Sequence, residues 1–282
     1  MASNIVSLDN LVKINQESLS SIMENIRPIK RFGQNYLVDR NILLKIVQEI
    51  NPSPDDKIVE IGPGHGALTS EIIKYAPDLT LVEIDNRVID ELKFRFPDIL
   101  IINNDFLKID LRNLYHSKGK TLRIVGNIPY NITSPIIFKM IGNKEFIKDS
   151  VLMIQYEVAK RLIADKRTKD YGILAVILNY FADVKLCFKV SPNVFYPKPK
   201  VHSAVIHLNF REPAEPVADT NLFIKVVKAA FGNRRKTLKN SINNSIFGEL
   251  DFDGCDIDFS KRAEELSLTD FLHLTNFIHG RQ

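Results

Sequence analysis

The sequence of 282 residues has no tryptophan and two cysteines, Cys187 and Cys255. The cysteines lie far apart without C-x-x-C spacing, so they predict neither a disulfide framework nor a zinc site, and we expect no metal ion. Long apolar runs are also missing, since no stretch approaches the roughly 20 residues that cross a bilayer. Residues 1–26 lack the cationic start and apolar stretch of a signal peptide. We therefore expect a soluble, cytoplasmic protein with no membrane contact.

A strong charge of one sign is absent as well, because 38 Lys and Arg residues stand against 34 Asp and Glu residues. The charges are unevenly spread along the chain. Residues 197–240 contain nine basic and three acidic residues, whereas residues 241–282 contain three and eight. A basic segment of this kind indicates contact with a polyanion such as nucleic acid, and a solvated helix face is the bland alternative.

The stretch from Lys57 to Gly66 organises the rest of the chain. The apolar run from Ile58 to Ile61 predicts a buried parallel strand, which ends in glycines at positions 62, 64 and 66. Apolar positions between Ala67 and Ile73 predict that a helix follows. Glycine lets the backbone bend sharply and lets a ligand lie against it, so we expect Gly62 and Gly64 to contact a cofactor. The spacing fits a dinucleotide, S-adenosylmethionine or a tight turn without a ligand.

Apolar strands alternate with helical patterns from residue 57 to residue 155, which is typical of a parallel sheet with helices on both faces. We predict strands near 57–61, 79–84, 100–103, 123–126 and 151–155, an antiparallel pair at 184–190 and 204–210, a buried helix at 171–181, and a helix capped by Asp39. Glu83 and Asp105 stand at the ends of the second and third strands, where such sheets bind ligands. Their carboxylates can accept hydrogen bonds from ribose hydroxyls and an adenine amine, which predicts a nucleoside site.

The fourth strand ends in Asn127-Ile128-Pro129-Tyr130, which suits the attack of an adenine amine on a methyl sulfonium. The amine is a poor nucleophile because its lone pair is delocalised into the ring. Hydrogen bonds to the Asn127 oxygen and to a carbonyl near Ile128 favour a tetrahedral nitrogen. Pro129 fixes the turn, and Tyr130 offers a face on which a base can stack. A proline turn capped by asparagine is the structural alternative.

Four motifs together resemble one family: Arg31–Leu37 (RFGQNYL), Val59–Thr69 (VEIGPGHGALT), Gly126–Ile132 (GNIPYNI) and Pro197–Val205 (PKPKVHSAV). Over roughly residues 27–280 the chain is similar to the ribosomal RNA adenine N6,N6-dimethyltransferases, most closely to the bacterial small-subunit members. The resemblance implies a Rossmann-like α/β fold that uses S-adenosylmethionine. It also implies two methyl groups on each of two adjacent adenines in a hairpin loop near the 3′ end of small-subunit rRNA. The expected partner is this rRNA within an immature ribosomal subunit, with a role in ribosome biogenesis, and we expect a monomer.

The same resemblance implies that S-adenosylmethionine contacts Asn35, Leu37, Gly62, Glu83, Asp105 and Asn127. Asn127 and Tyr130 are implied to hold the target base, with Phe195 stacked on its other face; a core aromatic is the alternative for Phe195. Two positions depart from the family pattern. Tyr156 stands where lysine is common, and His202 replaces a more usual aspartate.

A domain boundary is predicted at residues 211–217, which contain two prolines and no apolar periodicity. We expect an N-terminal extension at 1–26, either disordered or a loosely docked helix, a methyltransferase domain at 27–211 and a small all-helical RNA-binding domain at 218–282. In the last of these, Leu238, Ile242 and Ile246 predict one apolar stripe, and the string 233–239 is predicted to open a helix. The candidate RNA-binding residues are Lys160, Arg161, Lys198, Lys200, Arg234, Arg235, Lys236 and Lys239, and Lys30 and Arg31 are candidate phosphate ligands.

Three other interpretations stay open at this point. A nicotinamide-dependent oxidoreductase uses the same glycine turn, but leaves residues 127–130 without a role. The large-subunit rRNA methyltransferases that confer antibiotic resistance share the motifs, although Gly33-Gln34-Asn35 and the string 233–239 fit the small-subunit group better. A ribosome-assembly factor that acts chiefly by binding immature subunits is compatible with catalysis.

Overall fold

The computed structural model describes residues 34–281, so the expectations for residues 1–26 and for Lys30 and Arg31 lie outside the described residues. Its strands are β1 (Tyr36–Leu37), β2 (Lys57–Ile61), β3 (Leu79–Glu83), β4 (Leu100–Asn103), β5 (Leu122–Asn127), β6 (Ile147–Gln155), β7 (Ala182–Val190), β8 (Phe195–Tyr196) and β9 (Ser203–Phe210). Its α-helices are α1 (Arg40–Ile50), α2 (Thr69–Ile72), α3 (Ile89–Arg95), α4 (Leu111–Lys118), α5 (Thr133–Ile141), α6 (Tyr156–Leu162), α7 (Ile173–Phe181), α8 (Thr220–Ala230), α9 (Leu238–Asn243) and α10 (Leu268–His279). Short 3-10 turns connect several of them.

The large sheet has the strand order β4-β3-β2-β5-β6-β9-β7. The five strands from β4 to β6 are parallel, and β9 runs antiparallel to both β6 and β7. The predicted α/β fold, including the antiparallel pair at its edge, is confirmed. Because β3 and β5 flank β2 on opposite sides, the connections diverge there and leave a crevice at the carboxyl ends of the strands.

Strand β6 shows why helices cover both faces of this sheet. Val151 and Met153 pack with α1 in one core cluster, whereas Leu152 and Ile154 pack with α5 and α7 in another. A strand buried on both faces must be apolar at every position, which explains its unbroken apolar run. Helix α1 begins as predicted: the Asp39 carboxylate accepts hydrogen bonds from the backbone N–H groups of Asn41 at 2.8 Å and Ile42 at 3.1 Å.

Strands β1 and β8 form a separate antiparallel pair, in which Tyr36 faces Tyr196 and Leu37 faces Phe195. The backbone N–H of Val38 extends this contact by donating to the Val194 carbonyl at 2.9 Å. The pair therefore ties the segment before α1 to the loop between β7 and β9. The Tyr196–Pro197 peptide bond in this loop is cis.

The C-terminal helices α8 and α10 pack against α7, and a continuous core connects them with the sheet. Phe223 of α8 and Phe271 of α10 belong to the same buried cluster as Ile154 and Ile206 of the sheet. The division into domains at 211–217 stays a prediction.

One sequence prediction for this region is wrong. Helix α9 ends at Asn243, so Ile246 falls in a turn and is 76% exposed, while Phe247 takes the buried position. The string 233–239 does open a helix, since Thr237 is the N-cap of α9, but residues 234–236 form a turn before it. Sequence periodicity cannot show where a six-residue helix stops.

This correction gives a test by stability. Phe247→Ala should lower the free energy of unfolding by about 3–5 kcal/mol, because it removes a buried ring and leaves a cavity. Ile246→Ala is the matched control and should change it by less than about 0.5 kcal/mol, because the side chain is in solvent. Urea denaturation followed by circular dichroism measures both, and equal effects would contradict the assigned burial.

Candidate active site

Most of the predicted cofactor and base residues lie in one cleft at the carboxyl ends of β2, β3 and β5. The residues that line it include Asn35, Gly62, Gly64, Glu83, Asp105, Asn127 and Tyr130. Leu37 lines an adjoining cavity, which shares Gly62 and Asn127 with the first. These residues lie on five separate segments of the sequence, and the strand order of the sheet brings them together.

The glycine turn leaves room for a ligand. Gly62 and Gly64 have φ values of +64° and +54°, a conformation that side-chain-bearing residues rarely adopt. A Cβ on Gly62 would point into open space, with no atom within 4 Å, and Gly62 lines both cavities. A Cβ on Gly64 would lie 2.8 Å from the ring of Tyr36. At Gly62 the turn therefore exposes main-chain atoms to the cavities, and a ligand can lie on them without meeting a side chain. We call the turn at Gly62 and Gly64 the glycine cradle.

Glu83 is held rigidly at the end of β3. One carboxylate oxygen accepts from the Gly64 N–H at 3.1 Å and the other from the Asp85 N–H at 2.8 Å. Burial raises the pKa of Glu83, and the two backbone donors oppose that shift. Each oxygen keeps a further lone pair for a ligand hydroxyl. The neighbouring Asp85 is bonded by Arg87 and Gln34, and the Arg87 bond lowers the pKa of Asp85 to about 2.

Asp105 caps a 3-10 turn after β4. Its Oδ1 accepts from the Leu107 N–H at 2.9 Å, and its carboxylate lines the cleft beside Phe106. No hydrogen bond within residues 34–281 reaches the other oxygen, Oδ2. That oxygen can accept from an amine in the cleft.

Asn127 ends β5 and is fixed by a bond across the cleft. Its Nδ2 donates to the Asn35 carbonyl at 2.8 Å, which leaves Oδ1 as an acceptor without a partner among the described residues. The preceding Gly126 lets β5 lie close to β2, because a Cβ there would collide with the Ile61 carbonyl oxygen. The Tyr130 hydroxyl lies 2.8 Å from Ser203 Oγ, so the ring is anchored to β9.

Phe195 differs from the sequence expectation in its surroundings. It is 5% exposed and packs in the core cluster with Leu37, and it does not line the cleft. Side chains that face each other across an antiparallel pair point to the same side, so the Leu37–Phe195 pair faces the core and the Tyr36–Tyr196 pair faces the other way, where Tyr36 lies against the glycine turn and Tyr196 is exposed. In this conformation Phe195 is a core aromatic. Its role in stacking on a base stays a prediction that requires movement of the loop.

Two residues that line the cavities had no role in the sequence analysis, Tyr36 and Glu60. Tyr36 packs on Gly64 and on His65, with ring centroids 4.7 Å apart, and its hydroxyl is buried without a partner among the described residues. Burial and the nearby Asp85 and Glu83 raise the pKa of Tyr36 to about 12, so the phenol stays neutral. Glu60 is buried beneath the turn and accepts from Thr69 Oγ1 at 2.6 Å, and burial raises its pKa to about 7. Tyr36 lies within the motif at 31–37 and Glu60 within the motif at 59–69, and this position inside a motif is the signal that could have found each.

The candidate RNA-binding residues fall into two groups outside the cleft. Lys160, Arg161 and Arg234 lie near carboxylates: Lys160 and Arg161 near Glu157, and Arg234 at 3.2 Å from Glu264. Arg234 also donates to the carbonyls of Lys169 and Tyr171, so it ties two chain segments together. The other group is exposed and forms no ion pair within residues 34–281; it consists of Lys198, Lys200, Arg235, Lys236 and Lys239.

Two further findings concern membrane spans and metal sites. In the part of the chain that the structure describes, no helix is both long and apolar enough to cross a membrane. Over the same residues, His, Cys, Asp and Glu side chains nowhere gather in groups of three or more that could hold a metal ion.

Comparison with known proteins identifies relatives that match most of this chain. Residues 25–279 match the family model described as ribosomal RNA adenine dimethylase. A ribosomal RNA small subunit methyltransferase A from Chlorobium phaeobacteroides is 45% identical over 245 residues, covering 87% of this chain and 89% of the relative. A protein of the same name from Francisella tularensis subsp. tularensis is 43% identical over 256 residues, covering 88% and 97%.

Two solved structures show the same fold. A dimethyladenosine transferase from Plasmodium falciparum superposes with a TM-score of 0.74 at 25% identity, covering 87% of this chain and 98% of the other. The 23S rRNA methyltransferase ErmE gives a TM-score of 0.64 at 27% identity, covering 86% and 98%.

The glycine cradle can be tested with a matched pair of substitutions. Gly62→Ala should remove measurable binding of S-adenosylhomocysteine, because the new methyl group enters the space that both cavities share. Gly119→Ala is the control: Gly119 has a φ of +70° and equally open surroundings, but lies outside the cleft. Both should lose about 1–2 kcal/mol of stability from backbone strain. Isothermal titration calorimetry checks the binding, and unchanged affinity in Gly62→Ala would contradict a ligand at this turn.

Proposed function

This chain belongs to the ribosomal RNA adenine dimethylase family and is an rRNA adenine dimethyltransferase; we propose that it modifies two adjacent adenines in a hairpin loop near the 3′ end of small-subunit rRNA. The observation that carries the proposal is the single cleft shared by Gly62, Glu83, Asp105, Asn127 and Tyr130. The identity of 43–45% to small-subunit enzymes, against 27% to ErmE, favours the small-subunit substrate. Membership of this family also excludes the alternative of a nicotinamide-dependent oxidoreductase.

The methyl donor in this proposal is S-adenosylmethionine. The residues present fit it: the bare backbone at Gly62 accepts a ligand without a clash, Glu83 suits ribose hydroxyls and the free Asp105 oxygen suits an adenine amine. When bound, this cofactor supplies an electrophilic methyl group on a sulfonium. Asn35 lines the same cavity, and Leu37 lines the adjoining one.

Asn127 and Tyr130 orient the target adenine. The Asn127 carboxamide is fixed by its bond to the Asn35 carbonyl, so Oδ1 can accept from the exocyclic amine. Tyr130 is fixed by Ser203 and presents its ring to a flipped base, a contact worth about 1–3 kcal/mol. A loop adenine costs only a few kcal/mol to extrude, because it is weakly stacked and paired. Catalysis then depends on positioning rather than on an acid or a base.

The rRNA itself is held from outside the cleft. Exposed lysines and arginines of the loop 197–202 and of the turn before α9 suit phosphates, whereas the bases of an A-form helix are poorly accessible to side chains. We place the enzyme on an immature small subunit in the cytoplasm, as a monomer that contributes to ribosome biogenesis. Binding to the immature subunit need not require methyl transfer, so an assembly role can coexist with catalysis.

The direct test is mass spectrometry of small-subunit rRNA from cells with and without this protein. Two neighbouring N6,N6-dimethyladenosines should be present in the first sample and absent in the second. Purified protein, S-adenosylmethionine and subunits from the deficient cells should restore them. An unchanged small-subunit rRNA would overturn the proposed substrate.

Substitution of Asn127 separates catalysis from binding. Asn127→Ala should lower kcat by at least about 10²–10³-fold, because it removes an oriented acceptor. Asn127→Asp keeps the acceptor but loses the donor to Asn35, so its partial activity would show how much the tether contributes. Rapid-quench kinetics and a filter-binding assay with the subunit measure the two properties. Equal loss of both would mean that Asn127 acts through folding.

The two groups of basic residues should behave differently. Arg235→Ala combined with Lys236→Ala and Lys239→Ala should reduce the slope of log affinity against log salt by about 2, because each lost phosphate contact contributes about 0.7–0.9. Arg234→Ala should instead lower thermal stability, since it breaks the bonds to Glu264, Lys169 and Tyr171. Binding measured at several salt concentrations, beside thermal unfolding, distinguishes the effects. A triple variant with the wild-type slope would remove this turn from the interface.

A further inference from the structure

The ring of Tyr156, the residue that follows β6, has two lysine side chains near it. The Lys189 ammonium is 4.8 Å from the centroid of its ring, and the Lys160 ammonium is 5.7 Å away. An ammonium within about 6 Å of an aromatic centroid is attracted by the negative face of the ring. The ring therefore holds two cations at defined positions, although like charges repel one another.

Lys189 differs from Lys160 in its other contacts. Lys160 lies 3.3 Å from the Glu157 carboxylate and 3.9 Å from that of Asp170. Lys189 is exposed, and no carboxylate of residues 34–281 pairs with it. An ammonium has three donors, and a ring contact occupies only one side of it. The charge of Lys189 is thus available to an anion from solvent.

The strand register places Lys189 at the same end of the sheet as the base site. Ser203 of β9 faces Gln155 on one side and Val190 on the other, and its hydroxyl bonds Tyr130. The backbone N–H of Tyr156 donates to the His202 carbonyl at 2.9 Å. Three strand spacings separate β5, which carries Asn127, from β7, or about 14 Å.

We propose that Lys189, positioned by the ring of Tyr156, binds a backbone phosphate of the substrate RNA a few nucleotides from the target adenine. The distance of about 14 Å corresponds to roughly four nucleotides of a stacked strand, at 3.4 Å each. Exposed Lys198 and Lys200 on the neighbouring loop give the strand a cationic path toward this point. Such a contact sets the position of the strand and does not read the base. The inference rests on the proposed function, because it needs an RNA substrate in the cleft.

The departure at position 156 then has a physical account. Tyr156 replaces a lysine that the family pattern favours, and its ring holds a lysine from strand β7 in the same region. The His202 carbonyl accepts from the backbone N–H of Tyr156, a bond that any residue there would make, and the departure at position 202 has no structural explanation. Tyr156 is a positioning residue here, and Lys189 makes the contact.

Four variants test the proposal. Lys189→Gln should reduce the slope of log RNA affinity against log salt by about 0.7, the loss of one phosphate contact. Lys185→Gln is the matched control, because Lys185 lies on the same strand but pairs with Glu49 at 2.8 Å, and it should keep the wild-type slope. Tyr156→Leu should weaken RNA binding by about twofold to fivefold, whereas Tyr156→Phe keeps the ring face and should bind like the wild type.

The measurements are RNA affinity at several salt concentrations, KM and kcat with RNA, and the thermal shift with S-adenosylhomocysteine. Support requires a raised KM at unchanged kcat in Lys189→Gln and Tyr156→Leu, with a normal cofactor shift. A wild-type slope in Lys189→Gln would overturn the phosphate contact, even where Tyr156→Leu fails to fold. An equal loss in Tyr156→Phe and Tyr156→Leu would overturn the role of the ring. If the wild-type protein formed no dimethyladenosine, the proposed function would fail, and the salt slopes would still decide this inference.

Discussion

The hydrogen bond from the Asn127 side chain to the Asn35 carbonyl connects two parts of the chain that the sequence keeps 92 residues apart. Gly126 lets β5 lie against the Ile61 carbonyl, and β1 is paired with β8, so both segments that this bond joins are held in place. One amide therefore closes the cleft between the cofactor segment and the base segment. The Nδ2 group of Asn127 makes the structural bond, and Oδ1 can accept a hydrogen bond from a ligand.

The acidic residues around this cleft are held in ways that suit a cationic ligand. Glu83 accepts from two backbone N–H groups, and Asp85 is bonded to Arg87 and Gln34, so both are fixed before any ligand arrives. A buried carboxylate without such bonds would carry a large desolvation cost. Glu60, which has a single hydroxyl donor, is correspondingly the one whose pKa rises to about 7. A negative site of this kind attracts a sulfonium more strongly than the neutral thioether left after methyl transfer.

The sequence predicted the parts of the site that depend on local pattern. Strand-end glycines and carboxylates follow directly after the apolar runs that predict buried strands, so the sequence alone places Gly62, Glu83 and Asp105 at one edge of the sheet. Phe195 was not, because its orientation depends on pairing with Leu37, which is 158 positions away in the chain. The ion pair of Arg234 could not be predicted either, because Glu264 lies in a distant segment. Ile246 was wrong for a local reason: a helix of six residues ends before the apolar period repeats.

Methyl transfer to an amine needs a nucleophile aligned with its electrophile more than it needs a base, since the nitrogen becomes acidic only after alkylation. The groups nearest Asn127 agree with this requirement. Tyr130 is neutral, with a pKa raised by burial, and its hydroxyl is committed to Ser203. Tyr36 stays protonated as well, because its pKa is about 12. With Tyr130 and Tyr36 neutral and Glu83 fixed by backbone donors, these side chains are suited to positioning rather than to proton transfer, and Ser203 of β9, paired with β6 and β7, holds the Tyr130 ring in place.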